Sequence, residues 1–462
     1  MRRAIVIGGS VGGLCAARAL DGFFDEVLVV ERERFADSDG ALRPRTPHLL
    51  LPRGALELEA LFPGFVPKLK AAGAPSFDPG SSIAVRRAHG WQPIGHHGSE
   101  MLWASRELIA TTVRALLQQQ TRVRLIEQTR AVGLRYEGSP ARRRINGVVL
   151  GNDDSEADEL SAELVVDASG RHSHADDWLR DVGLCAPLRD TVDAHAGYAS
   201  RIYRAPSDED ARSGSQGLLL EWHAPGLPRA GAMLPIEGDR FIVTLAGIED
   251  QIPPTDEAGF RAFMRTLNSP ALADAVARAE PLSEIAGSRA TANVHRRYDR
   301  WRARLPGFIA VADAACAFNP IYGLGLSMAA ACGSLLRAQL HQIGPQHPRF
   351  AERYFARQAE LTSDAWRLAS AADRLWPHTE RGHGLASPAL EAYFRLVLDA
   401  SHFDPRLRRK LAPVFGLTAP LSRIFEPGFV AAVALSTSQR RLQQRLFGAH
   451  YAPDAPPLRI AR

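Results

Sequence analysis

Two glycine-rich turns carry most of the chemistry legible in this sequence. The first is Gly8-Gly9-Ser10-Val11-Gly12-Gly13, preceded by the apolar run Arg3–Ile7 and followed by Leu14, Ala17 and Leu20 at helical spacing. A glycine turn between a strand and a helix admits a pyrophosphate, because the backbone can approach it and the helix start offers N–H groups. A second apolar run, Val27–Val30, ends in Glu31, 23 residues after Gly8, a position from which an acid accepts from a ribose hydroxyl. Ser10 stands where the second glycine of G-x-G-x-x-G is expected, and its small hydroxyl can itself donate to phosphate. The second turn lies between Phe308 and Ala329. A buried strand is expected over Phe308–Ala312, then Asp313 at its end, then Asn319-Pro320, Gly323 and Gly325 running into a helix of small residues. A helix that starts this way aims bare N–H groups and the positive end of its dipole at a planar ring that becomes anionic on reduction. Two distant segments thus ask for one flavin dinucleotide.

Holding both turns in one place requires neighbouring strands that end together. The alternation of β-type runs and helical patterns predicts an α/β fold. Its Rossmann-like FAD-binding domain is discontinuous, built from residues 1–75, 104–190 and 290–345. Ser105 reads as an N-cap, with Glu107 in the first turn. Arg106 beside it is a cation at the positive end of a helix, a placement that a bound anion would justify. The run Val165–Arg171 is a strand ending in Asp167, with Gly170 in the turn behind it. From 190 to 290 the texture changes. Ala196–Tyr203, Gly217–Trp222, Gly231–Ile236 and Phe241–Gly247 are strand-like runs between turns, which predicts an antiparallel meander. An inserted antiparallel β-sheet substrate domain is expected over 76–103 and 191–289, followed by a C-terminal helical region, 346–462. The amphipathic stretch Phe429–Phe447 is expected to close that region, the alternative being a docking face for a partner or a membrane surface.

At 462 residues the chain can divide into two or three parts, and its 45% hydrophobic and 23% charged residues are ordinary for a soluble globular protein. The net charge of +5 is spread without a basic block, which argues against nucleic acid. Asp313, Asn319, Pro320 and several glycines interrupt the apolar region after Phe308, so no firm membrane insertion is expected. Cys15, Cys185, Cys316 and Cys332 are far apart and form no C-x-x-C, which fits a reduced, cytoplasmic protein. His96-His97, His172, His174 and His295 have no carboxylate or cysteine at ligand spacing, so no metal is expected. No G-x-S-x-G nucleophile elbow is present. The chemistry is expected on the flavin, with no catalytic side-chain nucleophile.

GGSVGGL with Glu31, then Ser105-Arg106, then VVDASGR, then ADAACAFNPIYGLG occur in this order and at these spacings. Together they resemble the single-component FAD-dependent monooxygenases of the para-hydroxybenzoate hydroxylase type. RTPHLLLPRGALELEALFPG (Arg45–Gly64) and the FNPIYG variant are similar to the bacterial natural-product branch that includes polyether epoxidases. The resemblance covers roughly residues 1–340. It implies that Gly8, Ser10, Gly13 and Glu31 hold the ADP half of FAD, and that Arg45 and Arg106 reach the flavin side and the pyrophosphate or ribityl chain. It also implies that Asp167 and Gly170 belong to a shared FAD/NAD(P)H motif, that Asp313 accepts from the ribityl chain, and that Pro320, Gly323 and Gly325 face the isoalloxazine. The implied reaction inserts one oxygen atom from O2 into a lipophilic natural product through a flavin C4a-hydroperoxide, by epoxidation or hydroxylation, with a lean to epoxidation. NAD(P)H, or a separate flavin reductase, would supply electrons.

The sequence departs from the family at Ala312, where glycine is usual, and at Leu324 and Leu326, where glutamine and methionine are usual. Arg201, Tyr203, Trp222 and Asn319 are candidates for the substrate side, although strand alternation divides residues of the meander between its faces. The W-x-W-x-I-P tract and catalytic lysine of flavin halogenases are missing. Two further readings stand beside the monooxygenase: a flavin-dependent reductase of isoprenoid-like double bonds, and a non-catalytic flavin-binding partner protein.

Overall fold

The computed structural model describes residues 1–35, 48–139, 142–151, 158–204, 216–303, 305–380, 382 and 388–447; Arg45 lies outside the described residues. Its centre is a five-stranded parallel sheet in the order Phe308–Ala310, Leu164–Asp167, Arg3–Ile7, Glu26–Val30, Arg124–Ile126. The inner strands read as continuous Val, Ile and Leu runs because the sheet is covered by packed elements, among them the Val11–Leu20 helix and the antiparallel strand Arg144–Gly151. Ile7 pairs with both Val30 and Asp167, and Asp167 pairs with Ala310. Neighbouring strands therefore end level, and the turns after Ile7, Asp167 and Ala310 leave the sheet at its carboxyl edge, where open parallel sheets bind ligands.

The two expected helices, Val11–Leu20 and Leu324–Ile343, pack against each other. A Cβ on Gly12 would stand 3.3 Å from the Ala312 Cβ and 3.6 Å from that of Ala329, and one on Gly333 would stand 2.7 Å from the Cys15 Cβ. These contacts advance in the same direction along both helices, so the helices run parallel and start at the same edge. The strand before the second turn is shorter than expected, Phe308–Ala310 rather than Phe308–Ala312. Ala312 has φ 51°, in the left-handed region, which ends extended backbone and starts a single 3-10 turn.

The second sheet has eight strands. Its main path runs Glu280–Pro281, Ala196–Arg204, Arg240–Ile248, Arg229–Ile236, Gly217–Leu220, Ile83–Arg87, Gly90–Trp91. Residues 217–248 form the expected meander. Ala196–Arg204, however, pairs along its whole length with Arg240–Ile248 and not with Gly217–Leu220. Arg240–Ile248 is apolar on both faces and takes the central place, whereas Gly217–Leu220 takes Ile83–Arg87 as a parallel neighbour. One face of this sheet, with Ala199, Tyr203, Val243 and Leu245, lies under the helices Glu257–Arg265 and Ala271–Ala277. The other, with Ile83, Ile202, Leu234 and Ile242, packs on Phe77 and Trp103 of a small three-stranded sheet.

Helices follow to the end of the described chain: Phe350–Asp373, Pro388–Phe403, Pro405–Phe415 and Pro427–Phe447. Phe429 and Val433 of the last helix are buried against Val397, Ala400, Leu407 and Leu411. No helix among the described residues is long and apolar enough to cross a membrane.

Candidate functional site

The glycine turn is built so that only hydrogen fits at two of its positions. Gly8 has φ +103°, and a Cβ there would lie 2.6 Å from the Ala168 carbonyl oxygen. A Cβ on Gly13 would lie 1.8 Å from the Gly8 carbonyl oxygen. The Gly9 N–H donates to Glu31 Oε2 at 2.6 Å, and the Glu33 N–H donates to Oε1 at 3.0 Å, so the acid at the end of the second strand sits on the turn. Ser10 leads the helix without capping it by its side chain. The N–H groups of Val11, Gly12 and Gly13 are in the first turn, where a helix supplies no acceptor. The cradle thus presents small residues, an acid and open donors, the donor set a dinucleotide's pyrophosphate and ribose require.

The second turn opens beside it. Gly323, with φ +68°, leads the Leu324–Ile343 helix and offers no side chain as a cap. Asp313 stands over this start, since a Cβ on Gly325 would lie 3.6 Å from Asp313 Oδ1. Burial raises the Asp313 carboxyl above its ordinary range, against the nearby charges of Arg171 and Arg106. Arg171 is fixed there by donating to the Ala292 carbonyl at 2.7 Å and the Phe318 carbonyl at 2.5 Å. Arg171 closes the VVDASGR run, and no role for it follows from that run alone. Its charge next to Gly170, in a turn aimed at the same edge, was the available signal.

A buried polar cluster holds the loop in front of the helix. Asn319 donates from Nδ2 to Asp373 at 3.3 and 3.4 Å, Tyr322 donates to Asp373 Oδ1 at 2.5 Å, and Asn293 donates to Asp373 Oδ2 at 2.5 Å. The Asn319 N–H donates to Asn293 Oδ1 at 2.8 Å, and Asn319 Oδ1 accepts from the Ile321 N–H at 3.2 Å. Burial pushes the Asp373 carboxyl up to about 7, although the three donors favour its ionised form. Asp373 closes the Phe350–Asp373 helix, 54 residues beyond Asn319. Nothing local in the sequence marked it.

Other expected residues fall as follows. Asp167 is fully buried, and its carboxylate accepts from the Ser169 N–H at 3.0 Å, the Ser169 hydroxyl at 2.6 Å and the Ser173 hydroxyl at 2.5 Å. It thus holds its own turn. Gly170 has φ +86° with open space where a Cβ would be, and Arg106 opens the Arg106–Gln120 helix, with Ser105 capping it by accepting from the Leu108 N–H at 3.1 Å. The four substrate-side candidates fall in different places. Arg201 and Tyr203 lie on the helix-covered face of the eight-stranded sheet: Arg201 pairs with Glu257 and donates to the Ser283 carbonyl at 2.8 Å, and Tyr203 is buried against Phe241. Alternation placed them together, but only packing decides which face meets the site. Asn319 is turned inward to Asp373 and is 1% exposed.

Trp222 does line a cavity, of about 110 Å³, with Leu375, Trp376, Arg87 and Arg395. Trp222, Leu375 and Trp376 share an apolar cluster with Ile321, so the cavity adjoins the Asn319–Tyr322 loop.

The sheet order, the two glycine turns at one edge and the antiparallel second sheet define the fold shared by FAD-binding monooxygenases and flavin-dependent halogenases. The flavin-dependent brominase Bmp2 matches with a TM-score of 0.65 at 16% identity, over 96% of this chain and 99% of that one. PqsL from Pseudomonas aeruginosa, described as a probable FAD-dependent monooxygenase, matches with a TM-score of 0.60 at 17% identity, over 81% of this chain and 96% of that one. No family model matches the chain. It is 30% identical over 389 residues to protein Rv3254 of Mycobacterium tuberculosis (strain ATCC 25618 / H37Rv), covering 81% of each, and belongs to the same family as that protein.

Proposed function

We propose that this chain is an FAD-dependent monooxygenase that transfers one oxygen atom from O2 to a lipophilic small molecule of natural-product type, by epoxidation or hydroxylation. The observation that carries the reading is the pair of parallel helices, Val11–Leu20 and Leu324–Ile343, that start without side-chain caps at one sheet edge, with Asp313 between them and Arg106 and Arg171 close by. The names of Bmp2 and PqsL support flavin-dependent oxidation as the general chemistry.

Bound FAD would supply the redox chemistry and the activation of oxygen. Gly8, Ser10 and Gly13 would receive the pyrophosphate, and Glu31 would exchange the Gly9 N–H for a ribose hydroxyl. Asp313 would accept from the ribityl chain. The N–H groups behind Gly323 and Gly325 would face the ring and favour its anionic, reduced state, with Pro320 stiffening the approach. The Asp373 cluster fixes that loop in place before any ligand arrives, which lowers the ordering cost of binding. Trp222, Leu375 and Trp376 would exclude water from the oxygen-transfer side and hold an apolar substrate. NAD(P)H, or a reductase partner, would bring electrons, and the setting is the cytoplasm.

Asp313→Ala tests the cofactor assignment. A hydrogen bond to a charged group contributes about 1.5–3 kcal/mol, so FAD retention on gel filtration should fall by about ten- to a hundredfold. Equal retention in the variant and the wild type would sink the assignment. Oxygen uptake coupled to substrate separates this reading from a double-bond reductase, which would oxidise NAD(P)H without it. A chain that binds FAD but turns nothing over would favour the flavin-binding partner.

A further inference from the structure

The cavity beside Trp222 has a corner that oxygen transfer on a flavin does not use. His89 sits in the turn between Ile83–Arg87 and Gly90–Trp91, His223 follows Gly217–Leu220, and Asp399 comes from the Pro388–Phe403 helix. One potential ligand atom from each lies within 4.8 Å of the others. His89 Nε2 is buried and stands 3.4 Å from Asp399 Oδ1, near enough to pair with it when protonated. The His89 and His223 rings meet edge to face with centroids 5.5 Å apart. Two ligands placed about 2.05 Å from one tetrahedral ion stand about 3.3 Å apart, so the His89–Asp399 spacing is that of two arms of a coordination shell.

A second observation points to the same corner. His402 lies one turn beyond Asp399 on the same helix, is 0% exposed, and both of its ring nitrogens are buried without a hydrogen-bond partner. Its ring stands 6.3 Å from that of His89. Buried unpartnered nitrogens cost free energy, and a native site that concentrates them asks for an explanation. Arg87, Arg395 and Arg440 are the cations that would oppose an ion here, and of these Arg87 is engaged by Glu221, at 2.6 and 3.3 Å.

We propose that His89, His223 and Asp399 bind a divalent first-row transition-metal ion. Two imidazoles and one carboxylate suit zinc or iron(II), whereas magnesium and calcium prefer oxygen-only sets. His223 and Asp399 both line the cavity, so the position they leave open faces the space beside Trp222 and Trp376. A water, or an oxygen donor on a small molecule, would complete the shell there. The proposal reverses the expectation of no metal, because none of these residues was among the histidines weighed from sequence and the helix bearing Asp399 is remote in the chain. It stands without any role for flavin.

The test is zinc binding by the full chain after removal of metal with a chelator, read by elemental analysis and by equilibrium dialysis. The expected result is one equivalent of zinc, little magnesium, and at least about tenfold weaker zinc binding in His223→Ala and in Asp399→Asn. His172→Ala/His174→Ala should bind as wild type. A thermal melt separates lost binding from lost folding, because added zinc should raise the midpoint of the wild type and of neither site variant. No bound zinc in wild type, or equal binding in Asp399→Asn and wild type, overturns the proposal.

Discussion

At the residue scale the account rests on atoms that have no room to change. Gly13 touches the Gly8 carbonyl so closely that a methyl group would lie 1.8 Å from it. Gly13→Ala should therefore force the turn apart and cost about 1–3 kcal/mol, read as a lower thermal midpoint together with lost FAD binding. An unchanged midpoint would contradict the packing described. Gly170→Ala is the informative contrast. It meets no neighbour, and its φ of +86° leaves a cost from backbone strain alone. These two glycines and Glu31 were readable because a strand, a turn and a helix in immediate succession leave the local chain few alternatives. Arg201 and Tyr203 were not, because the side of a strand that meets the site depends on helices more than fifty residues further on.

At the element scale, the start of the Leu324–Ile343 helix depends on what precedes it. Ala312 holds a left-handed φ of 51° where the resembling family has glycine. A β-carbon there costs about 1–2 kcal/mol, so Ala312→Gly should raise the thermal midpoint, offset in part by the greater freedom of glycine when unfolded. A lower midpoint would mean that the Ala312 methyl contributes more by packing on the Val11–Leu20 helix than it costs in strain. Asp373 sets the loop from the other side. Its folded pKa of about 7 lies above the ordinary carboxyl range, so the native state holds a proton that the unfolded state has lost between about pH 4 and pH 7. Stability from this group accordingly falls as pH rises through that window, by at most about 1.4 kcal/mol per pH unit, and levels off above it. Asp373→Asn, which has no carboxyl to titrate, should lose this slope and hold its stability from about pH 5 to pH 8. Denaturant unfolding at several pH values reads both profiles. Parallel stability profiles for variant and wild type would show that Asp373 does not titrate in the folded chain. The loop residues Asn319 and Tyr322 were visible in the sequence, but their partner was not, because the contact is made by the far end of another helix.

At the scale of the whole molecule, the parallel sheet and its edge were legible because consecutive apolar runs ending in glycine or aspartate appear in chain order. The order of the antiparallel sheet was not: Ala196–Arg204 skips its sequence neighbour to pair with Arg240–Ile248, a choice made by burial on both faces of the central strand. The cavity beside Trp222 was likewise hidden, since its walls come from two strands' ends and from the C-terminal helices. The fold is one shared with flavin-dependent neighbours, and the two open helix starts give that scaffold a reason to bind FAD. The measurement that tests this most directly is an absorbance spectrum of the purified protein, before and after reconstitution with FAD, followed in the same cuvette by anaerobic NAD(P)H, with a flavin reductase if needed, and then by O2. The account predicts oxidised-flavin bands at a stoichiometry near one per chain, bleaching on reduction, and return of the bands with oxygen consumption. A protein that holds no flavin even after reconstitution would contradict it.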